Sequence, residues 1–337
     1  EIPLCDWSSD VCSSDLATVS MGGTLEAKLA AVARAGFRAV EIFENDLTFF
    51  SGKPKDVRAR CQDLGLEIIG LQPMRDFEAM PEPMRARNFD RAERKFDLME
   101  ELGTRFLGMC SSVSEDSVDD KHRAAADLAE LADRAAQRGF RLGYEALAWG
   151  RYVKDWMQAY ELVCLADRPN LGIVLDSFHI CANKNPIAPL ADIPASRIGL
   201  VQLSDAPGIL MDPMSLSRHH RCFPGQGDHP VAEFLDCVMK TGYRGWAIGV
   251  MGVNGSPNMD AVTAYADYWL SGPPAITVSE QGYYSPTTNI KDVMPAEKYA
   301  FWYEGKPWVG APDRGIKEGD LRDGGSLETR AASVAYW

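Results

Sequence analysis

Positive charge is the first thing this chain is short of. Its 35 Lys and Arg stand against 48 Asp and Glu, a net charge of −13. That balance argues against nucleic acid or an anionic membrane surface as a partner. No apolar run approaches the ~20 residues needed to cross a bilayer. No GxGxxG follows the first predicted strand, so the fingerprint of a dinucleotide-binding open sheet is missing. The eight cysteines include no CxxC pair, which leaves neither a zinc ribbon nor a redox motif. Six of them lie between Cys61 and Cys237, and in a chain this rich in core residues they read as buried thiols of a reducing, cytoplasmic compartment. The first residues have no basic region and no continuous apolar stretch, so a signal peptide is not expected.

What is present is a regular alternation from Ala17 onward. Predicted strands fall at Ala17–Met21, Ala39–Asp46, Leu66–Met74, Arg105–Ser112, Arg141–Trp149, Leu171–Ile180, Ile198–Pro207 and Gly245–Met251. Amphipathic segments separate most of them, among them the one that Thr24 caps, with Leu25, Leu29, Val32 and Phe37 at near-helical spacing before Gly36. Strands alternating with helices make a parallel sheet. Eight units over residues 17–251 suit a (β/α)8 TIM barrel, whose usual length is ~250 residues. A doubly wound open sheet is the runner-up, disfavoured by the missing glycine fingerprint.

In a barrel, functional groups collect at the C-terminal ends of the strands. There the sequence places Glu44, Asn45, Arg75, Glu145, Asp176, His179, Gln202 and Asp205. Glu145, Asp176 and Gln202 supply two carboxylates and an amide oxygen from consecutive strands. That donor set suits a hard divalent cation such as Mg2+, Mn2+ or Co2+. Without a cation, adjacent carboxylates would repel and one would tend to keep a proton. Buried acids paired to Arg, or an acid/base dyad without metal, are the other readings of these residues. His179, three residues past Asp176, is a candidate general base near neutral pH. Arg75, Arg218 and Arg221 over the mouth suit a small anionic substrate, because guanidinium grips a carboxylate in a fork. In the segment SLSRHHRCFPGQGD, Pro224, Gly225 and Gly227 point to a shaped turn rather than a helix.

EIFEND, QPMRDFE, AERKFDLMEELG, GYEALAWG, LDSFH, VQLSDAP and SRHHRCFPGQGD together resemble the bacterial 3-dehydroshikimate dehydratases of the xylose-isomerase-like barrel superfamily. The resemblance covers about Ala17–Gly245. It implies loss of water from 3-dehydroshikimate to give protocatechuate, metal ligands at Glu145, Asp176 and Gln202, proton transfer at His179, and substrate contacts at Ser217 and Arg221. Arg75 is added from its position alone. Another sugar isomerase or epimerase of the same superfamily is the alternative, against which the Arg-rich loop argues.

Three departures stand beside it. The resemblance implies a fourth ligand, a Glu, on the eighth strand after GYRG; here the residue is Val250, so weaker metal binding is expected. WSSDVCSSDL, within residues 1–16, resembles translated sequencing adapter, so this leader is read as not native; an ordinary disordered tail is the alternative. From about Trp246 the chain resembles the C-terminal part of periplasmic polyamine-binding proteins, through pieces such as Trp302, Tyr303 and Glu304. Residues 252–337 are therefore read as an extension joined to the barrel, an irregular aromatic-rich tail in which 259–270 could close the last, atypical βα unit. A polyamine-binding protein, the third functional reading, would need a first lobe that is not visible.

Overall fold

The computed structural model describes residues 14–222 and 224–249. The chain divides into two units, Glu1–Met259 and Asp260–Trp337, and every described residue belongs to the first. The expectations for residues 1–13 of the leader, for Val250, for a closing helix at 259–270 and for the aromatic tail lie outside the described residues; residues 14–16, read as the end of that leader, belong to the first barrel strand.

The elements follow in βα order. They are β1 (Ser14–Ala17), α1 (Leu25–Arg34), β2 (Ala39–Phe43), α2 (Glu44–Thr48), α3 (Pro54–Asp63), β3 (Glu67–Met74), α4 (Met84–Leu102) and β4 (Phe106–Cys110), then α5 (Lys121–Gln137), β5 (Arg141–Glu145), α6 (Trp156–Ala166) and β6 (Leu171–Asp176). The last are α7 (Ser177–Ala182), β7 (Ile198–Leu203), α8 (Pro213–His219), α9 (Val231–Lys240) and β8 (Ala247–Gly249). All neighbouring strands pair in parallel, and β8 returns to β1, so the sheet closes into a barrel in sequence order. This is the (β/α)8 architecture expected from the alternation.

Local signals set the helix ends. Thr24 accepts the Ala27 N–H at the start of α1, and Leu25, Leu29 and Val32 bury the inner stripe. Asp155 and Gln158 form a reciprocal capping box on α6. Strand ends were less legible. β1 ends where its strand was expected to begin, at Ala17, and Thr18–Ser20 is a short 3-10 turn. Thr18 explains the break: its hydroxyl accepts the Phe43 N–H at 2.8 Å and its carbonyl accepts from Lys28 at 2.9 Å, so it ties the end of β2 to α1 instead of extending a ladder. β2 and β6 also stop early, and each runs into a short helix. Glu44 and Asn45 therefore lie on α2, and His179 lies on α7. In the segment SLSRHHRCFPGQGD, read as a loop, the first residues are helical, with Asp212 accepting the Ser215 N–H and Pro213 at the first helical position, while Pro224, Gly225 and Gly227 lie in turn and bend.

The barrel interior is filled by one aromatic ring set in glycine. A Cβ at Gly70, at Gly143 or at Gly199 would meet the ring of Phe106. Those glycines lie on β3, β5 and β7, so the ring must sit inside the barrel. Ala17, Ala39, Ile69, Val174 and Leu200 pack with Phe106 and Trp246 into the same plug. This apolar floor closes the lower part of the barrel beneath the polar groups of the rim.

Candidate active site

Glu145 ends β5, Asp176 ends β6, and Gln202 lies opposite Asp176 in the β6–β7 register. The strands bring the acids to one place, and α7 turns His179 back over them. One ligand atom from each of Glu145, Asp176 and His179 lies within 4.8 Å of the others. His179 Nε2 is 3.5 Å from Glu145 Oε1 and 3.8 Å from Asp176 Oδ2. The Asp176 side chain is 1% exposed and that of Glu145 11%.

Burial governs the ionisation of these groups. It pushes the Glu145 carboxyl up to about 8, helped by the nearby charge of Asp176 and opposed by Arg221. Asp176 is equally buried, yet it is held below the ordinary carboxylate range. The Arg221 charge and hydrogen bond, His179 and the Phe178 N–H together overcome its desolvation. Burial pushes His179 down to about 3, with Arg221 acting in the same direction and Asp176 against it. The imidazole is therefore neutral at pH 7. Trp149 and Phe178 meet it edge to face, at 4.9 and 5.4 Å between ring centres.

The backbone fixes which ring nitrogen does what. Ala148 donates its N–H to His179 Nδ1 at 3.0 Å. An Nδ1 that accepts carries no hydrogen, so the neutral ring holds its hydrogen on Nε2, the atom facing the carboxylates. That tautomer donates at Nε2. To take up a proton there, the ring must first move its hydrogen to Nδ1.

Arg221 spreads its donors over the site floor. Nη1 donates to Asp176 Oδ2 at 2.8 Å and to Ser204 Oγ at 3.0 Å, and Nε donates to Ser217 Oγ at 3.0 Å. Nη2 lies 3.2 Å from His179 Nε2, and the guanidinium stacks 4.3 Å from the Phe178 ring centre. Ser217, on α8, thus reaches the site through Arg221. Arg75 follows β3 and is exposed; its positive charge is felt by the buried Cys110 thiol. Arg218 is exposed at the end of α8.

Asp205 turns out to be a loop anchor. It is 1% exposed and accepts four backbone N–H groups, from Ala206 and His229 on Oδ1 and from Gly225 and Gly227 on Oδ2, at 2.7–3.0 Å. A Cβ on Gly227 would collide with Oδ1 and with the Ala206 carbonyl, so glycine is required there for close approach. Asp205 and Cys222 also exchange backbone hydrogen bonds, which fixes the residue next to Arg221.

The sequence reading missed Glu41, Gln72 and Cys110. Glu41 on β2 is fully buried, and burial pushes its carboxyl up to about 8 against hydrogen bonds from Gln72 and Gln202. The available signal was an acid in the middle of an apolar strand, AVEIF. Cys110 ends β4 opposite Glu145 in register and donates its thiol hydrogen to Glu145 Oε2 at 3.3 Å.

Residues 29–269 match the xylose isomerase-like TIM barrel family. The chain belongs to this family. Over 230 residues it is 54% identical to the 3-dehydroshikimate dehydratase of Pseudomonas aeruginosa and 51% identical to that of Pseudomonas putida, in each case over 68% of this chain. The chain spans only 36% of the length of each of those relatives. Among solved structures it is similar to a xylose isomerase-like TIM barrel/4-hydroxyphenylpyruvate dioxygenase fusion protein, with a TM-score of 0.71 and 43% identity, over 81% of this chain and 45% of that one. Among the described residues no helix is long and apolar enough to cross a membrane.

Proposed function

We propose that the barrel catalyses the metal-dependent dehydration of 3-dehydroshikimate to protocatechuate. The observation that carries this reading is the cluster of Glu145, Asp176 and His179 at one rim with Arg221 on it, in a segment 54% identical to a dehydratase of that name.

The donor chemistry fits a divalent cation. Two buried carboxylates face one another, and burial together with the charge of Asp176 drives Glu145 toward its protonated form. A divalent cation held by Glu145, Asp176 and the Gln202 amide oxygen would relieve that repulsion and act as a Lewis acid toward the substrate ketone. His179 is then left for the proton: once its hydrogen has moved to Nδ1, Nε2 takes the proton next to the ketone, and the imidazolium so formed gives it to the departing β-hydroxyl. Removal of the proton next to the ketone and departure of the β-hydroxyl with one proton amount to the loss of one water, and aromatisation makes that loss favourable. Arg221 keeps Asp176 ionised and shows its 31% exposed edge to the mouth, where it and Arg75 receive the substrate carboxylate. Trp149 and Phe178 wall the imidazole and limit water beside it.

Val250 bears on the rate. An apolar side chain binds no cation, so in this proposal the chain holds its metal weakly. The test is protocatechuate formation by the purified chain with saturating Mn2+, before and after chelation, alongside Val250→Glu. Slow turnover that chelation abolishes and Val250→Glu accelerates supports the reading. Absence of product from both proteins with Mn2+ bound overturns it.

A further inference from the structure

Glu41 is a fully buried strand acid to which the proposed chemistry gives no task. Its strand is otherwise apolar, and its side chain reaches into space cleared by glycine. A Cβ on Gly70, its register partner on β3, or on Gly108 of β4 would come within 3.5 Å of Oε1. Among the described residues no lysine or arginine bonds the carboxyl. Two amides do: Gln72 Nε2 donates to Oε2 at 2.5 Å, and Gln202 Nε2 donates to the same oxygen at 3.3 Å. The second bond crosses the barrel, from β2 to β7.

That bond settles an ambiguity in Gln202. A glutamine amide offers an oxygen that attracts a hard cation and an NH2 group that repels it, and the two ends have nearly the same shape. Both amide donors come to Oε2 of Glu41, and Oε1 has no partner among the described residues; a carboxyl hydrogen therefore belongs on Oε1, and Oε2 takes the NH2 end and leaves the amide oxygen free of Glu41. Gln202 sits opposite Asp176 in register, and Glu41 itself feels the charge of Asp176, so all three belong to one cluster. We infer that Glu41 is a positioning residue, which locks the Gln202 amide so that its oxygen, not its nitrogen, is offered to the cation. The inference rests on the metal site proposed above.

The experiment is Mn2+ titration calorimetry, with unfolding monitored in parallel, on the parent chain, Glu41→Gln and Glu41→Leu. Both variants remove the ionisable carboxyl, but only Glu41→Gln keeps an oxygen that can accept the Gln202 hydrogen. Support parts for metal ligands typically carry ~10–100-fold in affinity. We therefore expect Glu41→Leu to bind Mn2+ about 10–100-fold more weakly and Glu41→Gln to stay within about threefold of the parent. Equal weakening in both variants means that Glu41 acts through charge alone and overturns the inference, as does unchanged affinity in Glu41→Leu. A second comparison does not depend on the folding of Glu41→Leu. Gln202→Glu combined with Glu41→Gln should bind Mn2+ at least about tenfold more tightly than Gln202→Glu alone, because the exchanged pair recovers one donor facing one acceptor; equal binding refutes the pairing. Failure of the parent to bind Mn2+ at all would bring down the metal site and this inference together, whereas parent binding with either refuting pattern brings down the inference alone.

Discussion

Replacing Asp205 by Asn tests how the mouth of the barrel is held. The carboxylate has four N–H donors on its two oxygens. Asn keeps one oxygen and turns an NH2 group toward the other two donors, so two bonds are lost and donors face donors. A hydrogen bond to a charged group contributes ~1.5–3 kcal/mol. Gly225 is exposed, so its N–H can return to water and its share falls at the low end; Gly227 is half-buried and cannot do so fully. The expected loss is about 2–4 kcal/mol in urea unfolding followed by far-UV circular dichroism, with an unchanged m-value. The same change frees the Asp205–Cys222 segment, so Arg221 should leave Asp176. Weaker capture of an anionic substrate then accompanies the loss of stability. A cost below about 1 kcal/mol would refute the anchor argument. Loss of turnover with an unmoved unfolding midpoint would instead put Asp205 in the chemistry.

Other outcomes follow from the same geometry. His179→Ala should abolish dehydration while Mn2+ still binds in calorimetry; loss of Mn2+ binding would make the imidazole a ligand instead. Gly143→Ala places a Cβ against the Phe106 ring and 2.6 Å from Val174 Cγ2. Overpacking of this kind costs about 1–3 kcal/mol, and adding Phe106→Leu should restore part of it in the same unfolding assay. Glu78 is buried, bonded by the Ser112 N–H at 2.7 Å and the Tyr144 hydroxyl at 2.8 Å, and pushed by burial up to about 7 from 4.5. The folded chain therefore holds this proton where the unfolded chain has released it. The Glu78 contribution is present below pH 4.5 and is lost as pH rises through 7. Glu78→Gln should flatten the fall in melting temperature between about pH 4.5 and 7, and an identical slope in the variant argues against the assignment. Arg221→Lys keeps the charge but loses the fork to Ser204, Ser217 and Asp176, so KM for the anionic substrate should rise about tenfold or more; an unchanged KM would remove Arg221 from substrate capture.

The barrel was legible because its cause is local. Apolar runs recur at a βα spacing, caps such as Thr24 and Asp155 mark helix starts, and a parallel sheet of eight such units has few ways to close. The acids at the ends of β5 and β6 were legible for the same reason, since a strand buried on both faces can carry polar groups only where it emerges. Tertiary structure decided the rest, through contacts across long stretches of chain. Thr18 ended β1 early because its partners lie at Phe43 and Lys28. Asp205, which reads like another rim ligand, became a loop anchor because four N–H groups arrive from residues up to 229. The tautomer of His179 was set by a backbone N–H at Ala148, which no spacing rule reveals. Glu41 was hidden within an apolar strand; its place beside Gln202, 161 residues away, exists only once the sheet has closed into a barrel.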